Sequence, residues 1–340
     1  MFDFSEALDL PMIWGVLIAT AIFLYVLLDG FDLGVGILFP FAPSNQCRDK
    51  MMNSIAPFWD GNETWLVLGG GGLFVAFPLA YSILLPAFYM PITAMLLGLI
   101  MRGIAFEFRF KAEAKDRFLW DYVFHFGSLT AAFFQGVILG GFVQGVKVEG
   151  RDFAGGPFDW ANGLSILTGI AVVFGYALLG STWLVMKTQG VTQVWSRKVA
   201  AYVLGFVGFF MAIISVAMPF INNEIAHFWF SLPNFYLLLP IPLLTAFLFF
   251  LIWKDLRDQS REYRPFLLSI AVFLMGYLGL GISIYPWIIP FKYNLWQAAA
   301  CSQSLSLTLV GISIILPVIL FYTGYCYYVF RGKASNEHYY

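Results

Sequence analysis

Charged residues are scarce in this sequence. Lys, Arg, Asp and Glu make up 11% of the 340 residues, whereas 60% of the residues are hydrophobic and the mean hydropathy is +0.78. A soluble globular domain carries about 25% charged residues, so this composition excludes an ordinary soluble domain. It predicts an all-α polytopic membrane protein, with residues 1–340 forming a single integral membrane domain.

Cysteine and histidine are also scarce, with three residues of each. Cys47, Cys301 and Cys326 are far apart and show no CxxC or CxxCH spacing, which argues against a disulfide framework and against covalently attached haem. His125 is the only histidine inside a predicted span, and a lone histidine is more often a packing residue than a ligand. A b-type haem usually takes two axial side chains, so the sequence predicts no haem, copper or zinc ligands in this chain.

The first apolar run follows an acidic N-terminus, MFDFSEALDL, that has no basic region and no cleavage signal. We therefore expect this run to be a retained span and not a signal peptide. The run GGGG (69–72) lacks the Lys-Ser/Thr of a phosphate-binding loop, and we expect it to permit close helix packing. Nothing in the sequence indicates nucleic-acid binding.

Nine apolar runs are long enough to cross a hydrocarbon core, which needs about 20 helical residues. The second and third runs are the least clearly divided, with a short turn expected at about 82–86, so a count of eight is the alternative. The predicted spans are 12–40, 55–81, 84–105, 121–145, 162–186, 200–221, 235–253, 266–290 and 304–330.

The distribution of basic residues favours nine spans. With nine spans, one face of the membrane receives 16 of the 19 lysines and arginines and the other face receives three, whereas eight spans would mix the two groups. The positive-inside rule then places the N-terminus outside and the C-terminus in the cytoplasm. The three on the outer face are Lys147, Arg151 and Lys292.

Two aspartates, Asp29 and Asp32, lie three residues apart in the first span and so on neighbouring positions of one helical face. A charged aspartate near the bilayer centre costs about 2.5–3.5 kcal/mol, so each needs a reason to be there. Asp29 lies about 20 Å from the cytoplasmic loop at the helical rise, which favours a functional role. For Asp32, a structural role as a cap or hydrogen-bond partner of a helix broken by glycines is equally plausible.

The second predicted span begins with a polar group, Asp60, Asn62 and Glu63, flanked by Trp59 and Trp65. One interpretation is an interfacial helix start, with acids favoured by the helix dipole and tryptophans in the aromatic belt. The other is a proton relay, because Asp60 near the cytoplasm and Asp29 further inside would form a ladder of carboxyls along a helix hairpin. We prefer the relay and keep the interfacial helix as the alternative.

Arg102 and Glu107 lie near the cytoplasmic end of the third predicted span. They could pair with each other, or either could pair with an acid of the hairpin. We expect both to be mainly structural.

Four segments of the sequence carry a distinctive pattern: DGFDLGVGIL (29–38), NSIAPFWDGNETWL (53–66), MRGIAFEFR (101–109) and SLTLVGISIILPVILFYTGYCYY (306–328). These segments resemble subunit II of the cytochrome bd quinol oxidases, and the short chain is similar to the cyanide-insensitive branch of that family. The combination of DGFD with WDGN is the most specific part of this resemblance.

The resemblance implies an oxidoreductase subunit that is inactive alone and ligates no haem. Its partner, subunit I, would carry two haems b and haem d, oxidise a quinol on the outer side and reduce oxygen to water with cytoplasmic protons. Asp60 and Asp29 match the aspartates of the family's proton route. Trp59 matches its WDG tryptophan, which would pack the subunit contact or shape the route. A bound structural quinone and a small single-span accessory subunit are further candidates, alongside membrane lipid.

The resulting hypothesis is that cytoplasmic protons pass from Asp60 to Asp29 and then into the haem-bearing partner in a bacterial inner membrane. Glu63 and Asp32 are additional candidates for the route, and Asn62 is a supporting residue. A proton-coupled secondary transporter is one alternative, since such proteins also use intramembrane acids and glycine-broken helices. A purely architectural membrane subunit is the other.

Overall fold

The computed structural model describes residues 8–113 and 115–334, and its ordered structure is overwhelmingly helical. A single turn of 3-10 helix, Phe39–Phe41, follows the first α-helix. The α-helices are α1 Leu10–Leu38, α2 Asn45–Ile55, α3 Trp59–Ala76, α4 Pro78–Ala87, α5 Tyr89–Lys111, α6 Arg117–Gln144, α7 Gly163–Lys187, α8 Val191–Ile221, α9 Asn223–Phe230, α10 Asn234–Leu238, α11 Pro240–Arg257, α12 Arg264–Ile284, α13 Leu295–Ala298 and α14 Ser302–Val329.

Two short hairpins lie in the connections between helices. Strand β1 (Val148–Glu149) pairs antiparallel with β2 (Asp152–Phe153) after α6. Strand β3 (Trp287–Ile289) pairs antiparallel with β4 (Tyr293–Asn294) after α12, so the predicted eighth span, 266–290, is helical only to Ile284.

Eight helical segments of the described chain are long and apolar enough to cross a membrane. The chain is therefore an all-α, multi-pass membrane protein, as its composition predicts. The segments are Leu10–Phe41, Tyr89–Lys111, Arg117–Gln144, Gly163–Lys187, Val191–Ile221, Asn234–Arg257, Arg264–Ile284 and Ser302–Val329.

The second predicted span, 55–81, is not one helix. Helix α3 ends at Ala76, Phe77 leaves the helical conformation with φ −131° and ψ 64°, and α4 begins at Pro78. Proline favours a helix start because it has no N–H to leave unpaired there. The expected turn at 82–86 is misplaced, since α4 continues through Pro86 and the chain turns at Phe88.

Helix α1 lies against α3, α6 and α7. It is continuous from Leu10 to Leu38, so the expectation that the glycines of this segment break the helix is wrong. Instead, Gly34 faces Gly180 of α7 so closely that a Cβ on Gly34 would lie 1.9 Å from the Tyr176 carbonyl oxygen. The two glycines thus let the backbones of α1 and α7 touch.

The apolar core has two main parts along α1. The larger surrounds the second half of α1, where Phe31 stacks on Trp183 of α7 with ring centroids 4.1 Å apart. The smaller surrounds the start of α1, where Leu10 and Trp14 pack with α4 and with Leu295 of α13. Asp29 and Asp32 lie in the larger part, inside the helix bundle.

Candidate functional site

Arg102 is the centre of a buried polar cluster. It projects from the middle of α5, is 1% exposed, and its Nη1 donates to Asp29 Oδ1 of α1 at 2.5 Å. Its Nη2 donates to Glu63 Oε1 of α3. One guanidinium therefore joins α1, α3 and α5 through two carboxylates. Its planar arrangement of N–H donors is suited to such charge-assisted pairs.

Asp32 and Asn62 form the second half of the cluster. Asn62 Nδ2 donates to Asp32 Oδ2 at 2.7 Å and to the Leu28 carbonyl oxygen at 3.1 Å. The Asn62 side-chain oxygen accepts from the Tyr327 hydroxyl of α14 at 3.1 Å. Asp32 is completely buried, and its Oδ1 has no hydrogen-bond partner among the described residues.

Asp60 lies outside this hydrogen-bonded cluster. It occupies the first turn of α3, is exposed, and forms no ion pair or hydrogen bond with the residues that the structure describes. Glu63 lies one turn further along the same helix, with 29% of its side chain exposed. Glu63, which ranked below Asp60 in the sequence interpretation, is therefore the residue that connects the exposed end of α3 to Arg102.

Trp59 packs against α5 beside the cluster. Its ring centroid lies 5.1 Å from that of Phe106, and its six-membered ring lies over Gly103. This contact holds the first turn of α3 against the segment of α5 that carries Arg102. The structure thus gives Trp59 a packing role within the chain.

The cluster has more acid than base. Asp29, Asp32 and Glu63 surround one guanidinium, so three ionised carboxylates would leave a net charge of −2 around Arg102. A second buried cluster is balanced, since Arg48 and Arg109 there meet Asp49 and Asp121. Uncompensated charge is costly to bury, and neighbouring carboxyls avoid ionising together. The Arg102 cluster is therefore the one suited to hold a proton.

Arg102 is the residue that the sequence interpretation valued too little. Of the two pairings left open, the structure shows pairing with the hairpin acids, whereas Glu107 lies 3.8 Å from Lys111 at an exposed position. One signal was present in the sequence: Arg102 is the only charged residue between Tyr89 and Phe106. A single arginine in such a run needs a buried acid as partner.

The described residues form no cluster of side chains suited to a metal ion. They contain no group of three or more His, Cys, Asp and Glu side chains arranged to hold a metal ion. His125 is half-buried on α6, its Nδ1 lies 3.4 Å from the Gly36 carbonyl oxygen, and its ring packs edge-on against Phe41 and Phe126. No second histidine lies within the described spans.

Comparisons with known proteins agree on one family. Residues 10–330 match the family described as cytochrome bd terminal oxidase subunit II. The chain is 30% identical to cytochrome bd ubiquinol oxidase subunit 2 of Bacillus subtilis (strain 168) over 342 residues, covering 96% of this chain and 97% of the relative. It is 28% identical to cytochrome bd-I ubiquinol oxidase subunit 2 of Escherichia coli (strain K12) over 364 residues, covering 96% of each chain.

The fold is similar to a solved structure described as the bd oxidase from Geobacillus thermodenitrificans. The TM-score is 0.75 at 9% sequence identity, with 95% of this chain and 98% of that chain covered. At this identity the similarity concerns the fold alone. The match over residues 10–330 and the relatives aligned across nearly the whole chain establish that this protein belongs to the cytochrome bd terminal oxidase subunit II family.

Proposed function

We propose that this chain is the subunit of a quinol:oxygen oxidoreductase that supports a haem-bearing subunit I and supplies cytoplasmic protons for the reduction of oxygen to water. The names of its relatives support a quinol oxidase of an aerobic respiratory chain. The observation that carries the proton route is the excess of carboxyls around Arg102. Such a cluster keeps a proton inside the membrane at positions that hydrogen bonds fix.

The route would begin at the exposed end of α3. Asp60 lies there near water, Glu63 lies one turn further in, and Arg102 holds Glu63 and Asp29 on its two Nη atoms. Arg102 itself remains protonated, because guanidinium does not titrate in proteins. Its role is to hold two acids close enough for a proton to move between them by side-chain rotation or through a water molecule.

Asp32 is a side branch of this route. Its Oδ2 is held by Asn62, and Asn62 is held in turn by Tyr327, so Asp32 has a fixed orientation toward α3. We propose that Asp32 adjusts the charge of the cluster and that Asn62 supports its geometry. The proton then leaves Asp29 for the partner subunit.

The topology that we propose has nine crossings. Helices α3 and α4 would together form one broken crossing, with Asp60 and Glu63 at its cytoplasmic end. That count keeps 16 of the 19 basic residues on one face, which places the N-terminus outside and the C-terminus in the cytoplasm of a bacterial inner membrane. The whole chain, 1–340, is then one membrane domain.

The cofactors belong to the partner in this proposal. Two haems b and haem d in subunit I would carry electrons from a quinol to oxygen, and this chain would ligate none of them. The outer surface of α3 carries exposed Asp60 and two glycines, Gly61 and Gly71, where an added Cβ would meet no atom within 4 Å. We therefore place the partner against this helix. A bound structural quinone, lipid and a small single-span accessory subunit are additional components of the proposed complex.

The test is the Asp29→Asn variant in the assembled, detergent-purified complex. Quinol-dependent oxygen uptake should fall at least about tenfold, the loss expected when one step of proton transfer is removed. The visible haem spectrum should be unchanged, because asparagine still accepts a hydrogen bond from Arg102. Full turnover with normal haem content would remove Asp29 from the route.

Asp121→Asn is the matched control. Asp121 is also a buried acid held by an arginine, Arg109, at 2.5 Å, but it belongs to the balanced cluster. Its variant should retain oxygen uptake if the proton route is specific to the Arg102 cluster. Loss of the haem-bearing chain from Asp29→Asn preparations would favour the architectural alternative, and a colourless preparation of the native protein would favour the transporter.

A further inference from the structure

A chain of hydrogen bonds runs from α7 to α1 beside Asp29. The Tyr176 hydroxyl donates to Gln135 Oε1 at 2.7 Å, and Gln135 Nε2 lies 2.6 Å from the Tyr25 hydroxyl oxygen, which accepts. Tyr25 precedes Asp29 by four residues on α1, so the two side chains are neighbours on one helical face. Tyr25 and Tyr176 are 4% and 1% exposed, respectively.

The directions of these hydrogen bonds leave the proton of the Tyr25 hydroxyl without an assigned acceptor. A phenol has a single O–H, and the Tyr25 oxygen already accepts from Gln135, so its own proton is free for another acceptor. Asp29 Oδ1 accepts from Arg102, whereas Asp29 Oδ2 is buried and has no hydrogen-bond partner among the described residues. The Tyr25 hydroxyl lies close to this carboxylate.

The opposite orientation of the Gln135 amide is less favourable. Exchanging its oxygen and nitrogen would make Tyr25 donate to Gln135, and the phenol oxygen would then face Asp29 Oδ2 with lone pairs alone. A buried anionic oxygen without a donor costs more than a buried neutral one. Tyr176, whose ring lies against Gly30 of α1, therefore fixes Gln135, and Gln135 fixes Tyr25.

We propose that Tyr25 is a positioning residue for proton transfer at Asp29, and that Gln135 and Tyr176 act through it. This inference deepens the proposed function and rests on the proton route through Asp29. Arg102 holds Oδ1, the Tyr25 hydroxyl donates to Oδ2, and the transferred proton binds the remaining lone pair of Oδ2. That proton forms one O–H bond and leaves again as a proton, so no electron moves within this chain.

The other charged and titratable groups around Asp29 come from four helices. Asp32 lies on α1, Glu63 on α3 and Arg102 on α5, and Tyr327 of α14 reaches the same cluster through Asn62. In this proposal the Tyr25 hydroxyl is therefore the group that connects α6 and α7 to the carboxylate. A change at Gln135 can affect Asp29 without touching any charged group.

The experiment is infrared difference spectroscopy of the purified complex, combined with oxygen uptake. The C=O stretching band of protonated Asp29 is identified as the band that Asp29→Asn removes. Tyr25→Phe should shift this band, because the hydrogen bond from Tyr25 to the carboxyl group is lost, and Gln135→Leu should shift it in the same direction, because the Tyr25 hydroxyl is no longer held in its orientation. Each should lower oxygen uptake about tenfold at an unchanged KM for quinol, the effect expected for one hydrogen bond to a charged group.

The double variant Tyr25→Phe/Gln135→Leu should match Tyr25→Phe alone, because Gln135 acts through Tyr25 and the two effects are not additive. Tyr277→Phe is the matched control, since Tyr277 also donates a half-buried hydroxyl to α1, at the Ala19 carbonyl oxygen 2.7 Å away. Its band position and oxygen uptake should be those of the native protein.

Two results would overturn the inference: a band that neither Tyr25→Phe nor Gln135→Leu moves, or equal shifts in Tyr277→Phe. Absence of any band removed by Asp29→Asn, with full turnover, would instead remove the proton route itself. The two failures are therefore distinguishable.

Discussion

Arg102 Nη1 donates to Asp29 Oδ1 at 2.5 Å across 73 residues of sequence, inside the helix bundle. This bond joins α5 to α1 at a point where both side chains are almost completely buried. Burying an arginine and an aspartate together is tolerable because their opposite charges compensate each other, and breaking such a pair leaves a buried charge uncompensated. The same pair thus serves the stability of the fold and the geometry of the proposed route.

Removal of the guanidinium should destabilise the protein strongly. Arg102→Leu should lower the free energy of unfolding by about 3–5 kcal/mol, because the acids around it lose the cation with which they pair. Thermal unfolding in detergent measures this loss, and adding Asp29→Asn to Arg102→Leu should recover part of it. Arg257→Leu is the control, since exposed Arg257 packs over the Trp253 ring at 3.7 Å and should contribute less than about 1 kcal/mol. Equal losses in the two single variants would contradict the argument.

Both acids on α3 should affect oxygen uptake, although only Glu63 contacts Arg102. Glu63→Gln should lower quinol-dependent oxygen uptake about tenfold or more, since it removes the acid that connects the exposed end of α3 to Arg102. Asp60→Asn should lower uptake while leaving the haem-bearing partner bound. Co-purification and oxygen uptake of the two variants check this, and loss of the partner in Asp60→Asn would support the architectural alternative.

The contact between α1 and α7 should not tolerate a side chain. In Gly34→Ala the new Cβ would lie 1.9 Å from the Tyr176 carbonyl oxygen, so the helices must separate. The loss in free energy of unfolding should be greater than that of a typical overpacked side chain, about 1–3 kcal/mol, because the new Cβ meets backbone atoms that cannot change rotamer. Gly205→Ala on α8, where the Cβ meets nothing within 4 Å, should be neutral or stabilising. Yield and thermal unfolding of the two variants measure the difference, and similar stabilities would contradict the packing.

The segment 330–334 should detach in acid. Lys333 Nζ donates to Glu262 Oε2 at 2.7 Å and to the Met186 carbonyl oxygen at 2.8 Å. Hydrogen bonds from Lys333 and then from Gln193 hold the pKa of Glu262 below its usual value, outside the membrane-spanning helices. The unfolded pKa is about 4.3, so this contact is fully stabilising above that pH and is lost as the pH falls through the lowered value.

Hydrogen exchange of residues 330–334 measures this detachment. Corrected for the intrinsic pH dependence of amide exchange, the exchange rate should rise with acid in the native protein, whereas Glu262→Gln should show faster exchange already at neutral pH and a weaker dependence on pH. An acid-induced rise of the same size in both proteins would assign the effect to another group.

The apolar runs and the intramembrane acids were predictable because both follow from local composition. A span must be apolar over about 20 residues whatever it packs against, so the positions of α1, α5, α6, α7, α8 and α14 followed from the sequence with errors of up to about ten residues at their ends. A carboxylate inside such a run needs a partner, which marked Asp29, Asp32 and Glu63 as candidates before any contact was known.

The partners themselves depended on how helices distant in sequence pack. No spacing rule brings Arg102 to Asp29 or Gln135 to Tyr25, because these pairs lie on different helices whose rotation and depth are set by the whole bundle. The break at Phe77 is also a tertiary feature, since the residues around it are as apolar as those of an unbroken span. Composition thus determined that this is a membrane protein with buried acids. Only the packing of α1, α3, α5, α6 and α7 decided which groups hold them, because a guanidinium or phenol reaches a carboxylate only where helices place it.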